Sequence, residues 1–301
     1  MNTVIVLFAY NRPGLLKGTI RALNRCKGIE SYSVWVFSDG AKDEKDVHRV
    51  NEVRNILHDL CKDNNFAALN VIEREHNFGL ANSVIAGVTY VFEKYDAVIC
   101  IEDDLIVSDD FVNYMNSSLL LYEHDERIWS ISGFCPCLES LEYIDKESFL
   151  FNRASSWGWG TWKDRWEKIN WSNEKYSSML NNPGTWKKMK LLGRDFPYLL
   201  SFQVNGMIDS WAVRWCASQW EKNMLTVYPQ KSRVNHVGIG AEATHVKKTS
   251  IKQQVLSDHI NAFTGEKAEY YETIAEEFRK LFYLNPIKAF VKIRIHRLRQ
   301  G

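Results

Sequence analysis

Four short, largely apolar strand-like runs alternate with three stretches of helical spacing in the first hundred residues, and this change of period constrains the fold more than any other feature of the chain. The runs are Val4–Phe8, Val34–Phe37, Leu69–Ile72 and Ala97–Ile101. Between them lie Leu15 to Leu23, Val47 to Leu60 and Leu80 to Phe92. In the second of these, Val50, Val53, Ile56, Leu57 and Leu60 share one helical face. Strands of four or five residues separated by helices of ten or more mean βαβ units. The spacing therefore predicts an α/β fold with a mostly parallel sheet flanked by helices. The first strand leads into Tyr10-Asn11-Arg12-Pro13 rather than a Gly-rich turn, and no G-x-x-x-x-G-K-[ST] occurs. Dinucleotide and P-loop readings are therefore disfavoured.

Beyond Ser108 the texture changes. Ser108 can cap a helix through Phe111, Met115 and Leu119, and Arg127–Ser132 reads as another strand. A Trp-rich stretch covers 153–171, a helix-like segment runs from Ile208 to Trp220, and 253–282 reads as helical. With 38 Lys and Arg against 37 Asp and Glu the net charge is +1, which argues against a general nucleic-acid binder. The six cysteines form no C-x-x-C pair and read as reduced, mostly buried thiols of a cytosolic protein. Met1 to Thr3 runs straight into the first strand without a basic leader, and no apolar run reaches the roughly 18 residues of a membrane span. A cytoplasmic location is expected.

In a parallel sheet, ligands sit off the carboxyl ends of the strands. Here those ends are Tyr10 to Pro13, Ser38-Asp39-Gly40, Glu73 to Asn77 and Glu102-Asp103-Asp104. Three adjacent carboxylates repel one another in a dry site unless something positive compensates. Mn²⁺ or Mg²⁺ does so, with diphosphate oxygens and water completing its shell. The bland alternative is a solvated acidic turn. Asp39 could accept from a ribose or base, or simply form a turn. Asp209 stands among Met207, Ile208, Trp211, Ala212 and Val213. Such neighbours would shield a general base from water and raise its pKa. Equally, Asp209 or Ser210 would start a helix at Trp211. Trp157, Trp159 and Trp162 alternate with glycines, too Gly-rich a pattern for a plain core helix.

Six motifs occur in order: Leu7 to Pro13, Phe37-Ser38-Asp39-Gly40, Asn77-Phe78-Gly79-Leu80-Ala81, Ile101-Glu102-Asp103-Asp104-Leu105, Trp157-Gly158-Trp159-Gly160-Thr161-Trp162 and Ile208-Asp209-Ser210-Trp211. Together they resemble the bacterial sugar transferases with a GT-A fold, often grouped with family 2 glycosyltransferases. The E-D-D-L, Trp/Gly-rich and D-x-W series is also similar to animal N-acetylglucosaminyltransferase I. The match runs from residue 3 to about 248. It implies a GT-A domain over 1–248, with a nucleotide-binding half to 105 and an acceptor half from 106. A helical C-terminal extension would follow over 249–301.

The resemblance also implies roles. Tyr10 and Arg12 would flank the nucleotide, Asp39 would contact the nucleoside, Asp103 would lie near the ribose, and Asp104 would hold Mn²⁺ or Mg²⁺. Asp209 would be the catalytic base. Glu102, Arg153, Trp157, Trp159, Trp162 and Trp211 would line the sugar and acceptor pocket. His236 interrupts one further motif, Asn235-His236-Val237-Gly238, and His245 closes another, Ala243-Thr244-His245. Either histidine could approach the diphosphate, and His245 would join Asp104 on the metal. The implied reaction is an inverting transfer from a nucleotide sugar, a UDP-sugar foremost. Its acceptor would be a glycan or a lipid-linked molecule, in surface polysaccharide synthesis. A sugar-1-phosphate nucleotidyltransferase and a non-catalytic carbohydrate-binding or membrane-associated protein are the rival readings.

The tail from Asn285 interleaves Ile287, Phe290, Val291, Ile293, Ile295 and Leu298 with Lys288, Lys292, Arg294, His296, Arg297 and Arg299. It fits either a peripheral contact with anionic membrane at the cytoplasmic face or a terminal helix docked on the domain. Its apolar positions do not make one clean stripe.

Overall fold

The first strand, β1 (Thr3–Ala9), is buried along its whole length. Its residues divide between two cores, Ile5, Leu7 and Ala9 facing one and Val4, Val6 and Phe8 the other. Side chains alternate across a strand, so an all-apolar strand needs cover on both faces. The computed structural model describes residues 1–238, 251–256 and 263–300. The remaining strands are β2 (Ser33–Ser38), β3 (Ala68–Glu73), β4 (Ala97–Glu102), β5 (Leu105–Val107), β6 (Ile128–Ser132), β7 (Ser148–Phe151), β8 (Trp159–Trp162), β9 (Leu225–Pro229), β10 (Val234–His236) and β11 (Glu269–Tyr270). The helices are α1 (Pro13–Asn24), α2 (Glu44–Lys62), α3 (Gly79–Val91), α4 (Phe111–Tyr122), α5 (Lys163–Trp166), α6 (Asn173–Leu180), α7 (Pro183–Met189), α8 (Phe196–Val204), α9 (Trp211–Glu221), α10 (Glu272–Leu281) and α11 (Pro286–Gln300).

Nine strands form one sheet in the order β11-β7-β9-β6-β8-β4-β1-β2-β3, and β5 pairs with β10 in a separate ribbon. β3, β2, β1 and β4 are parallel, β8 runs antiparallel to both β4 and β6, and β6 is parallel to β9. The expected α/β architecture with a mostly parallel sheet is what the chain forms. Leu16 and Leu23 of α1, Leu57 of α2 and Met115 of α4 cover one face of the sheet. Val84 and Val88 of α3 and Trp215 of α9 cover the other. Each such large side chain stabilises the fold by about 1.5–3 kcal/mol on burial.

Two expectations need correction. Ser108 does not cap α4. Its hydroxyl donates to Asp110 Oδ1 at 2.6 Å, and α4 begins after Asp110. Nor is 253–282 one helix. Among the described residues of that stretch only α10 is helical, preceded by the edge strand β11. Gln253 exchanges two hydrogen bonds with the backbone of His236, at 2.7 and 2.8 Å, which ties the segment alongside β10. All six cysteines are free thiols and four are buried. Among the described residues, no helix is long and apolar enough to cross a membrane.

Candidate active site

β1 and β4 are parallel neighbours with Phe8 opposite Glu102, so the residues that follow each strand meet at one edge of the sheet. Asp103 and Asp104 are both almost wholly buried there. Arg12, just ahead of α1, spans the two. Its Nη1 lies 2.6 Å from Asp104 Oδ2, and its Nη2 pairs with Asp103 Oδ1. The Tyr10 amide donates to Asp103 Oδ2 at 3.3 Å, and the Thr19 hydroxyl of α1 donates to the Asp103 carbonyl at 2.9 Å. Burial pushes the Asp103 carboxyl up to about 6 even beside Arg12. It pushes Glu102 up to about 8, with the Asp104 charge adding to the rise. Asp104 goes the other way. Burial acts upward, but His236 and Arg12 together hold it below the usual carboxylate range.

The ribbon of β5 and β10 supplies the second wall. His236 lies opposite Leu105, and the Val237 amide continues the ladder to the Asp104 carbonyl at 2.9 Å. His236 Nε2 stands 3.3 Å from Asp104 Oδ2, while its buried Nδ1 has no partner among the described residues. Trp157 stacks on the His236 ring, with centroids 4.6 Å apart and planes within 12°. Phe134 meets Trp157 edge-on, with ring centroids 4.6 Å apart. Two glycines permit this packing. A Cβ on Gly238 would overlap the Asp104 carboxylate, and Gly158 has φ +63° with Val234 pressed against it.

Divalent-ion chemistry can be tested on this geometry. Among the described residues, no group of three or more His, Cys, Asp or Glu side chains stands ready for a metal. Asp104 Oδ2 and His236 Nε2, however, are spaced much as adjacent ligands of one octahedral ion, with bonds of about 2.1 Å, would be. The residues therefore fit an ion that draws most of its shell from phosphate oxygens and water.

The other expected site residues divide. Tyr10 is present at the edge, but its hydroxyl is engaged, donating to Asp46 Oδ2 at 2.6 Å and accepting from the Lys42 amide. Asp39 is buried and accepts from the Phe78 amide at 3.0 and 3.1 Å, which anchors the start of α3. Burial raises its carboxyl, against those amide bonds and Arg74 at 3.8 Å. Arg153 is engaged by other side chains. It pairs with Asp195 at 2.7 Å and lies 3.9 Å over the Phe282 ring, bracing the C-terminal segment. Trp159, Trp162 and Trp211 are core residues rather than pocket faces, since Trp159 packs on Trp211 and Trp215 and Trp162 Nε1 donates to the Leu119 carbonyl. Trp157 alone of that set keeps partial access. Asp209 is not shielded by its apolar neighbours. Its side chain is 62% exposed and pairs with Arg214 at 3.0 Å. Ser210, not Asp209, caps α9. His245 lies outside the described residues.

Sequence reasoning missed Asp46, Arg74 and Thr19. Arg74 is buried between Phe37 and Phe78, 4.3 Å over the latter ring, and its Nη1 donates to Ser83 Oγ. Its place just after β3, facing Asp39 after β2, was the available signal. Asp46 holds both Tyr10 and Asn11 from the first turn of α2, which no local pattern announces.

Among solved structures, the chain is similar to S. aureus TarS 1-349, at 12% identity and a TM-score of 0.40 over 74% of this chain and 71% of that one. It is similar also to the mannosyltransferase PcManGT from Pyrobaculum calidifontis in complex with GDP-Man and Mn²⁺, at 11% identity and a TM-score of 0.40, covering 74% and 69%. Against the longer S. aureus TarS chain the identity is 14% and the TM-score 0.31, and the match takes in 44% of this chain but only 21% of that one. Residues 2–171, more than half of the chain, match the model of the GNT-I family. The chain belongs to the GNT-I family.

Proposed function

We propose that the chain transfers a sugar from a nucleotide-sugar donor, a UDP-sugar, to a glycan or lipid-linked acceptor, with inversion at the anomeric carbon, in surface polysaccharide synthesis. The observation that carries this reading is the meeting of Arg12, Asp103, Asp104 and His236 at the carboxyl edge between β1 and β4. Family membership supports the reaction class. The uridine donor and the polysaccharide setting rest on the sequence motifs.

Mn²⁺ or Mg²⁺, when bound, neutralises charge developing on the departing diphosphate. Asp104 and His236 would hold it. Asp103, fixed by the Tyr10 amide and Thr19, would accept from the ribose hydroxyls, and Arg12 would share its guanidinium between the carboxylates and the donor phosphates. Trp157 would lie against the donor and exclude water, which suppresses hydrolysis. Asp209 would take the proton of the acceptor hydroxyl. That oxygen bonds to the anomeric carbon as the bond to the diphosphate oxygen breaks on the opposite face.

Calorimetric titration with UDP, with and without Mn²⁺, tests this reading. Wild type should bind UDP at least tenfold more tightly with the metal. Asp104→Ala should lose that increment while still unfolding in one cooperative transition, at a temperature lowered by the loss of a buried partner of Arg12. Undiminished metal-dependent UDP binding in the variant would remove Asp104 from the role.

A further inference from the structure

The tail lacks one clean apolar stripe because it has two. Ala289, Ile293 and His296 form one seam of α11. Ala289 and Ile293 are buried with Tyr198 and Phe202 of α8, and His296 Nε2 lies 2.9 Å from the Asn205 carbonyl. Ile287, Val291, Ile295 and Leu298 recur at i, i+4, i+8 and i+11, nearly opposite that seam. They are exposed by 73%, 52%, 45% and 76%. The docked seam already holds the helix to the domain, so the second stripe has no part in packing among the described residues.

The same region carries the basic charge of an otherwise balanced chain. A hollow of about 500 Å³ opens at the start of α11, between α10 and the segment that follows α7. Lys190, Arg194 and Lys280 line it without an ion pair among the described residues, beside Tyr198 and Tyr283. Arg279 also lines it but is engaged by Glu272, and Glu276 is the one acidic lining residue. Lys288 and Arg294 of α11 are exposed beside the outward stripe.

We propose that α11 and the basic hollow at its start form a docking surface for an anionic phospholipid membrane. The outward stripe enters the boundary between headgroups and acyl chains, while the hollow and the flanking cations take lipid phosphates. Charge and apolar surface argue for this occupant together. A soluble polyanion has no use for the stripe, and a neutral apolar partner has no use for the cations. The inference goes beyond the transfer reaction and does not depend on it.

The test is co-sedimentation of the full chain with vesicles of phosphatidylglycerol and phosphatidylcholine, and with phosphatidylcholine alone. The protein should pellet with the anionic vesicles at low ionic strength and be released at about 0.5 M salt, where screening is short-ranged. Ile287→Ser with Leu298→Ser, and separately Lys190→Glu with Arg194→Glu, should each weaken anionic binding at least tenfold. Both double variants should keep the wild-type melting temperature and UDP affinity, which separates a failure here from a failure of the transferase reading. Equal binding to neutral vesicles, or none to anionic ones, overturns the proposal. So does a wild-type dimer that Ile287→Ser with Leu298→Ser converts to monomer in sedimentation velocity while vesicles are ignored, since a second copy is then the occupant.

Discussion

Arg12 sets the electrostatics of the site, because one guanidinium serves two carboxylates that water scarcely reaches. Removing one partner from a buried pair of this kind costs about 3–5 kcal/mol. The acidic run was legible in the sequence, since it closes an apolar strand and must emerge at the ligand edge of a parallel sheet. Arg12 was legible for the same reason. The partners of Arg153 were not legible, because Asp195 and Phe282 come from distant segments that only the folded chain brings together. Asp209 was read correctly as lying at a helix start but wrongly as shielded, since the apolar residues around it in sequence point into the core while it points out. As a base, it should be separable from binding. Asp209→Asn should keep donor affinity and lose transfer by about 10² to 10⁴ in turnover. Weakened donor binding with normal turnover at saturation would assign it to binding instead.

At the scale of elements, α10 shows how the C-terminal segment is fastened. Glu277 accepts from the Glu139 amide at 2.8 Å, the Ser140 amide at 2.9 Å and the Ser140 hydroxyl at 2.6 Å. Burial acts upward on its carboxyl, but these donors hold it below its ordinary value of 4.5. A depressed value in the folded state gives stability that is present above the unfolded value and lost as pH falls through the folded one. Glu277→Gln should therefore cost about 1–2 kcal/mol near neutral pH, with the gap closing in the acid range. Chemical denaturation of both proteins across pH reads this directly, and a gap that does not change with pH would discard the charge argument. The first seven elements were legible because each strand is built around a short, largely apolar run and each helix has an apolar periodic face. β11 was not, because two exposed residues carry no pattern and are a strand only by virtue of β7 beside them.

For the whole molecule, β11 and α10 fasten the described part of the C-terminal segment to the sheet. Phe278 stacks on Phe151 at 4.3 Å and meets Tyr228 at 5.1 Å, closing a third core over β7 and β9. A fragment ending at residue 248 should expose Phe151 and Tyr228 and melt roughly 10 °C or more below the full chain. Equal melting temperatures would mean that the C-terminal segment is detachable. The strand order also bears on synthesis. β8 lies between β4 and β6 in the sheet but follows both in the chain, and β7 meets β6 only through β9. As the polypeptide leaves the ribosome, β1 to β4 can assemble at once. The next slot beside β4 stays vacant until Trp162 has emerged, and the far edge waits until Tyr270 has. Until then the free margin of β4 is open to the wrong strand, so the pace of translation across this interval bears on the yield of folded protein.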